Sequence, residues 1–336
     1  MKWLPTICLL LPFCKGFTQN IQPAVSENPA SLVAYLTQNS HTDKEKVVAI
    51  FRWITENIAY YRPDPRTGRK KNQSMLNNND FPEEPGELPS LDERVALQVL
   101  RNKKAVCEGY ARLFKAMCNH AGIPARVLTG YARTNFTSRD NRFRSNHTWN
   151  AVRIDSNWHL LDITWASGYI AWPSGEFVRH YDDYYFLTPP EKFVQHHYPD
   201  DPRWILLTEQ PVLPEFRQTP FRQKSFSKYS ITAFYPAKGI IETSVGDTIQ
   251  LELETGAVER NMSIAPDSLW DPAYLPQTAL DAFVQPETQT PLQNTIRYRF
   301  PVQSGNIQWL YVMYNNDAVL RYRLQIKKQE ANNSIQ

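Results

Sequence analysis

The apolar and polar positions in the first third of the chain follow a helical period. In the clearest segment, apolar side chains at 47, 50, 51, 54 and 58 share one helical face, after a capping box made by Thr42 and Glu45. Ser90 and Glu93 have the same spacing, and Gly122 provides a helix stop. The sequence therefore predicts helices over 28–38, 42–57, 90–100 and 107–121.

Further along, the pattern becomes typical of strands. A strand is predicted over 126–131, and a hairpin of strands over 147–154 and 158–163 with its turn at 155–157. After position 226, short β-prone runs alternate with turn residues, which predicts a small antiparallel sandwich. These runs cover 229–234, 248–254, 295–300, 307–314 and 320–326. The predicted fold class is α+β, with helices packed on an antiparallel sheet and a smaller all-β sandwich behind them.

Composition changes mark the predicted domain boundaries. A polar insert at 62–90 follows the first helices, and we interpret it as a solvated insertion in preference to a lid over the site. Prolines predict a linker over 208–225, between a domain over 20–207 and an immunoglobulin-like sandwich over 226–327. The polar tail 328–336 is predicted to be disordered.

The first residues resemble an export signal. Lys2 precedes an apolar run that is too short for a spanning helix and carries Pro5 and Pro12. We therefore expect residues 1–19 to be a signal peptide, the protein to be periplasmic, secreted or at the cell surface, and no integral membrane segment to remain after removal. The net charge of +3 gives no basis for nucleic-acid binding.

Two cysteines, Cys107 and Cys118, lie outside the predicted signal. On one helix, their eleven-residue separation corresponds to about 16 Å, well beyond the roughly 7 Å that a disulfide allows between Cα atoms. Both are predicted to be free thiols, and Cys118 has the pattern of a small buried apolar side chain.

Cys107 carries the strongest chemical signal because it opens a predicted helix and is followed by His147 and Asp162. A helix N-terminus stabilises a thiolate, an imidazole can take its proton, and a carboxylate can orient the imidazole. The order Cys, His, Asp therefore indicates covalent acyl chemistry. Each of these residues alone is more often structural, and only the combination favours a site.

The hairpin offers a geometric test of this hypothesis. A two-residue turn at Asp155 and Ser156 pairs Ile154 with Asn157, which puts Asp162 on the face of the sheet that carries His147. A four-residue loop keeps that register, whereas a three-residue loop puts Asp162 on the opposite face unless a bulge intervenes. We therefore predict an even-length loop or a bulge.

Three segments resemble motifs of the transglutaminase-like superfamily, which are cysteine enzymes of the papain-like fold. Val106-Cys107-Glu108-Gly109-Tyr110-Ala111 is similar to the nucleophile motif, and the segments that begin at His147 and at Trp158 are similar to the histidine and aspartate strands. Flanking pieces resemble the kyphoscoliosis-peptidase branch; they cover 50–60, 185–191 and 204–207. Tyr61 departs from that pattern, since an aspartate often stands there.

The resemblance implies roles for individual residues. Cys107 would be the nucleophile, His147 the general base and then acid, and Asp162 the orienting carboxylate. Tyr60, Trp149 and Trp165 are candidates for the oxyanion site or the groove, although packing roles are the stronger interpretation for all three. The implied substrate is a protein or peptide amide, and the implied reaction is either hydrolysis or crosslinking.

No cofactor or metal is expected. His196 and His197 are adjacent, but they lack nearby ligands at a recognised metal-binding spacing. The alternative function is a catalytically silent binding or scaffolding protein of the cell envelope or surface. In either case, the sandwich is a candidate for binding a protein partner.

Overall fold

The computed structural model describes residues 27–61, 89–133, 143–171, 173–223, 225–256, 262–266 and 295–327. The predicted signal peptide, nearly all of the polar insert and the polar tail lie outside these residues. The predicted domain boundaries remain predictions.

Within the described residues, four helices form the first part of the fold, and their ends follow the predicted caps. Asn28 accepts a hydrogen bond from the Ser31 N–H, and Thr42 and Glu45 form both bonds of the capping box. Gly122, at a φ of +76°, ends the last helix. The helices are α1 (Pro29–Thr37), α2 (Asp43–Asn57), α3 (Leu91–Asn102) and α4 (Cys107–His120).

One predicted cap forms only in part. The Ser90 side chain accepts from the Glu93 N–H, but the Glu93 carboxylate lies 3.0 Å from Nε2 of His120 on α4. This contact ties α3 to α4. Before α4, the short strands β1 (Ala59–Tyr60) and β2 (Lys104–Ala105) pair in parallel.

A four-stranded antiparallel sheet packs against α4. Its strands are β3 (Ala125–Ala132), β4 (His147–Ile154), β5 (Asn157–Leu161) and β8 (His197–Pro199), in the order β5-β4-β3-β8. The fifteen-residue α2 and the whole of α4 bury their apolar faces in the same core as this sheet, with Phe51, Phe114 and Val152 fully buried. The predicted second hairpin strand ends early, at Leu161, because Asp162 begins a helix.

The chain between β5 and β8 contains short elements. These are α5 (Ile163–Ser167), the hairpin strands β6 (Gly168–Ile170) and β7 (Phe177–Arg179), and α6 (Pro190–Phe193).

The β-rich region consists of two sheets. A three-stranded sheet has the order β10-β12-β14, and a second sheet has the order β11-β16-β15-β13 with β9 paired to β16. Three strands, β9, β11 and β13, were missed by the sequence prediction. The prediction of an antiparallel sandwich is wrong for one of them, because β11 pairs with β16 in parallel. The elements are β9 (Phe221–Arg222), α7 (Ser225–Lys228), β10 (Ile231–Tyr235), β11 (Ile240–Ser244), β12 (Thr248–Thr255), β13 (Met262–Pro266), β14 (Thr295–Pro301), β15 (Trp309–Tyr314) and β16 (Asp317–Lys327).

Both faces of the larger sheet are covered. All six residues of β15 are buried, with Leu310, Val312 and Tyr314 packed in the sandwich core. The alternate residues Trp309, Tyr311 and Met313 belong to another cluster, which includes Phe143 and Tyr198 from the first region and Phe216 and Phe221 from the proline-rich stretch. The two regions therefore share a packed apolar interface, and the proline-rich stretch forms part of it.

Within the described residues, no helix is long and apolar enough to cross a membrane.

Candidate active site

Cys107 is the first helical residue of α4 and is half-buried. The preceding residue, Val106, is extended and supplies no side-chain cap. The first N–H groups of a helix have no partners inside the helix, so an uncapped start leaves donors available to a developing anion. The sequence thus puts a thiol and a set of backbone donors at the same point.

His147 begins β4, and the hairpin brings Asp162 back to it. The turn contains two residues, Asp155 and Ser156, both at positive φ, and Ile154 lies opposite Asn157. This confirms the predicted even-length loop. After Leu161 the chain leaves the strand, so Asp162 reaches the histidine from a helix cap and not from a paired strand position.

Asp162 has a dual role in the local structure. As the N-cap of α5, its Oδ1 accepts a hydrogen bond from the Trp165 N–H at 3.1 Å. Its Oδ2 lies 2.7 Å from Nε2 of His147. The carboxylate is fully buried, and its orientation is fixed by donors on both oxygens.

The thiol completes the arrangement. The interaction of His147 with the Cys107 thiol lowers the pKa of that thiol, and the Thr148 backbone acts in the same direction. Because Nε2 of His147 is directed to Asp162, Nδ1 is the ring nitrogen left for the thiol. The structure joins His147 and Asp162 directly, whereas the triad of Cys107, His147 and Asp162 stays a prediction.

In this buried site, the pKa values of Cys107, His147 and Asp162 are set by their neighbours more than by burial. Burial alone raises the pKa of the Cys107 thiol, but the hydrogen bond and charge of His147 outweigh it, and the net pKa is lowered. Burial lowers the pKa of His147, yet the Asp162 carboxylate reverses this and raises it to about 10. The Asp162 pKa is lowered in turn, because His147 and His197 outweigh the effect of burial. These directions favour a thiolate and an imidazolium over the neutral pair at neutral pH.

Sequence reasoning missed a fourth member of the site. His197, on β8, is buried, and its Nε2 lies 2.9 Å from the same Oδ2 of Asp162. Burial lowers its pKa to about 4, so its imidazole is neutral at physiological pH. The sequence offered only the adjacent pair His196 and His197, which we considered for metal binding and not for a contact with Asp162.

Aromatic rings enclose these polar groups. The Trp165 ring centroid lies 5.4 Å from that of His147 and 4.5 Å from that of His197. Trp149 is 1% exposed, and its ring stacks on His147 at 6.1 Å. Tyr60 is half-buried on β1 opposite Ala105, two positions before Cys107. The two tryptophans exclude water from the histidines, which strengthens every charge interaction there.

The same cluster has the composition of a metal site. Ligand atoms of His147, Asp162 and His197 lie within 4.8 Å of one another. Two ligands of a tetrahedral zinc ion, each about 2.1 Å from the metal, are about 3.4 Å apart. Here the two imidazole nitrogens lie 2.7 and 2.9 Å from the carboxylate oxygen, which are hydrogen-bond distances. The geometry fits a proton-bearing network and does not fit a bound ion.

Comparison with known proteins gives consistent matches. The model of the transglutaminase-like superfamily matches residues 30–163. The kyphoscoliosis peptidase of Mus musculus is 31% identical over 234 residues, which are 69% of this chain and 32% of the mouse protein. Hillarin of Drosophila melanogaster is 30% identical over 215 residues, which are 60% of this chain and 23% of hillarin.

The chain spans about a third of the length of the mouse relative and less of the fly protein. Among solved structures, a TGase is 17% identical and aligns over 51% of this chain and 39% of its own, with a TM-score of 0.27. That score is too low for an argument from this structural alignment.

Proposed function

Because the chain belongs to the transglutaminase-like superfamily, in the branch that includes kyphoscoliosis peptidase, we propose that it is a cysteine acyl-transfer enzyme acting on protein or peptide amides. One observation carries this proposal. His147 lies between a thiol at an uncapped helix start and a buried carboxylate 2.7 Å away.

In the first step, the Cys107 thiolate attacks the amide carbonyl and forms the C–S bond. The carbonyl oxygen becomes an oxyanion, for which the Cys107 N–H at the start of α4 is a suitable donor. The His147 imidazolium then gives its proton to the departing nitrogen as the C–N bond breaks. A thioester on Cys107 and a free amine or ammonia result.

In the second step, neutral His147 removes a proton from the acceptor as it attacks the thioester. Water as the acceptor gives a carboxylic acid, and hence peptidase or amidase activity. A lysine amine gives an isopeptide bond, and hence protein crosslinking. In both cases the thiolate leaves, and His147 holds the proton that restores the ion pair. Asp162 keeps the imidazole oriented throughout, with its Oδ1 fixed by the Trp165 N–H.

The proposal includes export of the protein, which rests on the signal-like residues 1–19. A protein or peptide substrate is favoured over a small molecule because the relatives include a peptidase by name. The alternative, a catalytically silent binding or scaffolding protein of the envelope or surface, would have no need for a thiolate held in an ion pair.

The test is mass spectrometry of surface and secreted proteins from cells that produce the wild type or Cys107→Ala. New peptide ends that depend on Cys107 would identify hydrolysis, and Gln–Lys isopeptides that depend on it would identify crosslinking. Cys118→Ala is the matched control, since Cys118 lies on the same helix but is fully buried, and it should give the wild-type pattern. Identical product patterns from the wild type and Cys107→Ala would reject the enzyme and favour the scaffold.

A further inference from the structure

Asp162 has two histidines on a single oxygen atom. Oδ2 lies 2.7 Å from Nε2 of His147 and 2.9 Å from Nε2 of His197, while Oδ1 accepts from the Trp165 backbone. Of the two histidines, His147 is the one that acts on the Cys107 thiol, so the reaction proposed above gives His197 no step of its own. A fully buried carboxylate needs several donors to remain ionised, and His197 is one of them.

His197 must act as a neutral donor. An ionised carboxylate only accepts hydrogen bonds, so the proton of His197 is on Nε2, and Nδ1 carries the lone pair. That Nδ1 has no hydrogen-bond partner among the described residues, which is tolerable for an acceptor but not for a donor. The ionisable groups around this ring are Asp162, His147 and His196, with the Tyr185 ring 6.2 Å away.

The strand that carries His197 is short and lies at a sheet edge. β8 has three residues, pairs only with β3 in its sheet, and places His197 opposite Ala132. Phe193 stacks on the His197 ring at 4.2 Å, which fixes the plane of the ring. Backbone hydrogen bonds from the Arg133 N–H to the His196 carbonyl and from the Asp200 N–H to the Thr129 carbonyl extend this pairing by one residue at each end. The paired segment is still short and at a sheet edge, so a further anchor adds to the positioning of His197.

That anchor comes from the C-terminal sandwich. Arg321, on β16, donates from one guanidinium nitrogen to the Pro199 carbonyl at 3.1 Å and from another to the Asp200 carbonyl. Pro199 is the last residue of β8. The two hydrogen bonds therefore hold the end of this strand, two residues beyond His197.

Burying the Arg321 side chain at this position carries a large desolvation penalty. Its side chain is fully buried, and within the described ranges it forms no ion pair. A buried cation without a carboxylate is strongly unfavourable unless other groups solvate it. Here the two carbonyls do so, together with the faces of Tyr198, Phe221 and Trp309, whose ring centroids lie 4.6–5.1 Å from the guanidinium carbon. The same two carbonyls that solvate this buried cation are thus the groups by which Arg321 holds the end of β8.

We propose that the C-terminal sandwich helps to position the active site. In this scheme, Arg321 anchors β8, and β8 holds His197 against Asp162. His197 and Arg321 are positioning residues in this scheme. The inference rests on the proposed function, because it concerns how the Asp162 carboxylate supports His147 and Cys107. It predicts that a change in the sandwich, at Arg321, alters the reactivity of the sulfur.

The test uses the full-length protein and iodoacetamide, with alkylation of the Cys107 peptide followed by mass spectrometry across pH. His197→Met removes the donor with little change of volume, whereas His197→Gln keeps an amide donor on an equally long chain. We expect His197→Met to raise the alkylation midpoint by about one pH unit, so that the alkylation rate at a pH below both midpoints falls about tenfold. His197→Gln should stay within about threefold of the wild type. A purely structural role would change the thermal midpoint of both variants but not this pH profile.

Arg321→Met and Arg321→Lys test the second link. Arg321→Met should shift the Cys107 profile in the same direction, and combining it with His197→Met should add no further shift, since both changes remove the same support. Should Arg321→Met fail to give a folded circular dichroism spectrum, Arg321→Lys, which keeps the charge but not the two-pronged geometry, provides the same readout with a smaller shift.

The outcomes distinguish a failure of the roles given to His197 and Arg321 from a failure of the proposed function. If His147→Ala abolishes the low midpoint but folded His197→Met leaves it unchanged, the proposed chemistry stands and the role of His197 is wrong. If the His197 variants shift the profile but the folded Arg321 variants do not, the link to the sandwich is wrong. If wild-type Cys107 alkylates like an ordinary thiol, the proposed function itself fails.

Discussion

Nε2 of His147 lies 2.7 Å from Oδ2 of Asp162, fifteen positions later in the chain. The β4–β5 turn makes this contact possible. Because the turn holds two residues and pairs Ile154 with Asn157, the two ends of the hairpin return to the same side of the sheet. The turn register therefore returns the end of β5 to the side of the sheet that carries His147, and the N-cap position of α5 then directs Asp162 to the imidazole.

The thiolate at Cys107 should exist over a defined pH range. The pKa of Cys107 is lowered and that of His147 is raised to about 10, so the ion pair forms above the first value and is lost above the second. Alkylation by iodoacetamide should therefore have its midpoint below the ordinary thiol value of about 8.5. In His147→Ala the lowering effect of His147 is lost, while burial and the Asp162 charge still raise the Cys107 pKa, so the midpoint should rise above the wild-type value. Peptide-resolved mass spectrometry measures both.

Cys118 is the internal control for this experiment. It lies on the same helix, is fully buried, and its pKa is raised by burial. We expect it to resist alkylation in the folded protein and to react only after unfolding in denaturant. Equal midpoints for wild type and His147→Ala would contradict the ion pair.

Asp162→Asn should separate the capping role of Asp162 from its electrostatic role. Asparagine caps helices about as well as aspartate, so the Trp165 N–H keeps an acceptor. The negative charge that supports the His147 imidazolium is lost, and the rate of thioester formation should fall on the order of ten-thousandfold, as the same change does in a serine-protease triad. Single-turnover acylation with an activated ester is the measurement. Asp182→Asn is the control: Asp182 caps the short 3-10 helix Asp183–Tyr185 by accepting from the Tyr184 N–H, and its change should keep the wild-type rate.

The helices and the hairpin could be predicted because their signals are local. Caps at Asn28 and Thr42, the stop at Gly122 and the turn at Asp155 each depend on residues within a few positions of one another. The same local signals located Cys107, His147 and Asp162. The strand after Trp158 ended two residues early because the side chain of Asp162 caps a helix, a role that an alternating pattern does not show.

His197 could not be predicted in the same way. It lies 35 positions beyond Asp162, on a three-residue strand whose position depends on pairing with β3 and on a side chain from β16. No sequence period records such contacts. The shared interface did leave a signal, because positions 309–314 are apolar without alternation, which is typical of a strand covered on both faces. The strand prediction for 307–314 takes no account of this second covered face.

Asp92 should make the attachment of α4 sensitive to acid. Its carboxylate lies 2.6 Å from Arg112 and also pairs with Lys115, both on α4. Burial raises the Asp92 pKa, but these two cations outweigh it, and the net pKa is lowered below 3.8. The pKa of Asp92 is thus lower in the folded state than in the unfolded state. The stabilisation that ionised Asp92 gives the fold is therefore complete above about pH 4 and is lost as pH falls through the folded-state pKa.

Asp92→Asn should therefore lower the free energy of unfolding by about 2 kcal/mol at pH 7, with a difference that shrinks below about pH 4. Urea unfolding at several pH values measures this. Glu56→Gln is the control, since Glu56 pairs with Arg52 at 3.5 Å on an exposed surface, and its loss should cost under about 0.5 kcal/mol. A difference that stays constant from pH 7 to pH 3 would show that the Asp92 charge is not the cause.

Ser156→Gly should stabilise the fold without changing the chemistry. Asp155 and Ser156 have φ values of 48° and 67°, as a two-residue turn of this hand requires, and a side chain at such a φ is strained. Glycine removes the strain but makes the unfolded chain more flexible, so we expect a net gain of about 0.5–1 kcal/mol and a rise of about 2 °C in Tm. Ser156→Ala keeps the Cβ and should give no gain. Since neither change alters the pairing of Ile154 with Asn157, the alkylation midpoint of Cys107 should stay at the wild-type value in both variants. If Ser156→Gly raises Tm but also shifts the Cys107 midpoint, the substitution has disturbed the register of the hairpin and with it the contact between His147 and Asp162. The prediction that the chemistry stays unchanged would then be wrong.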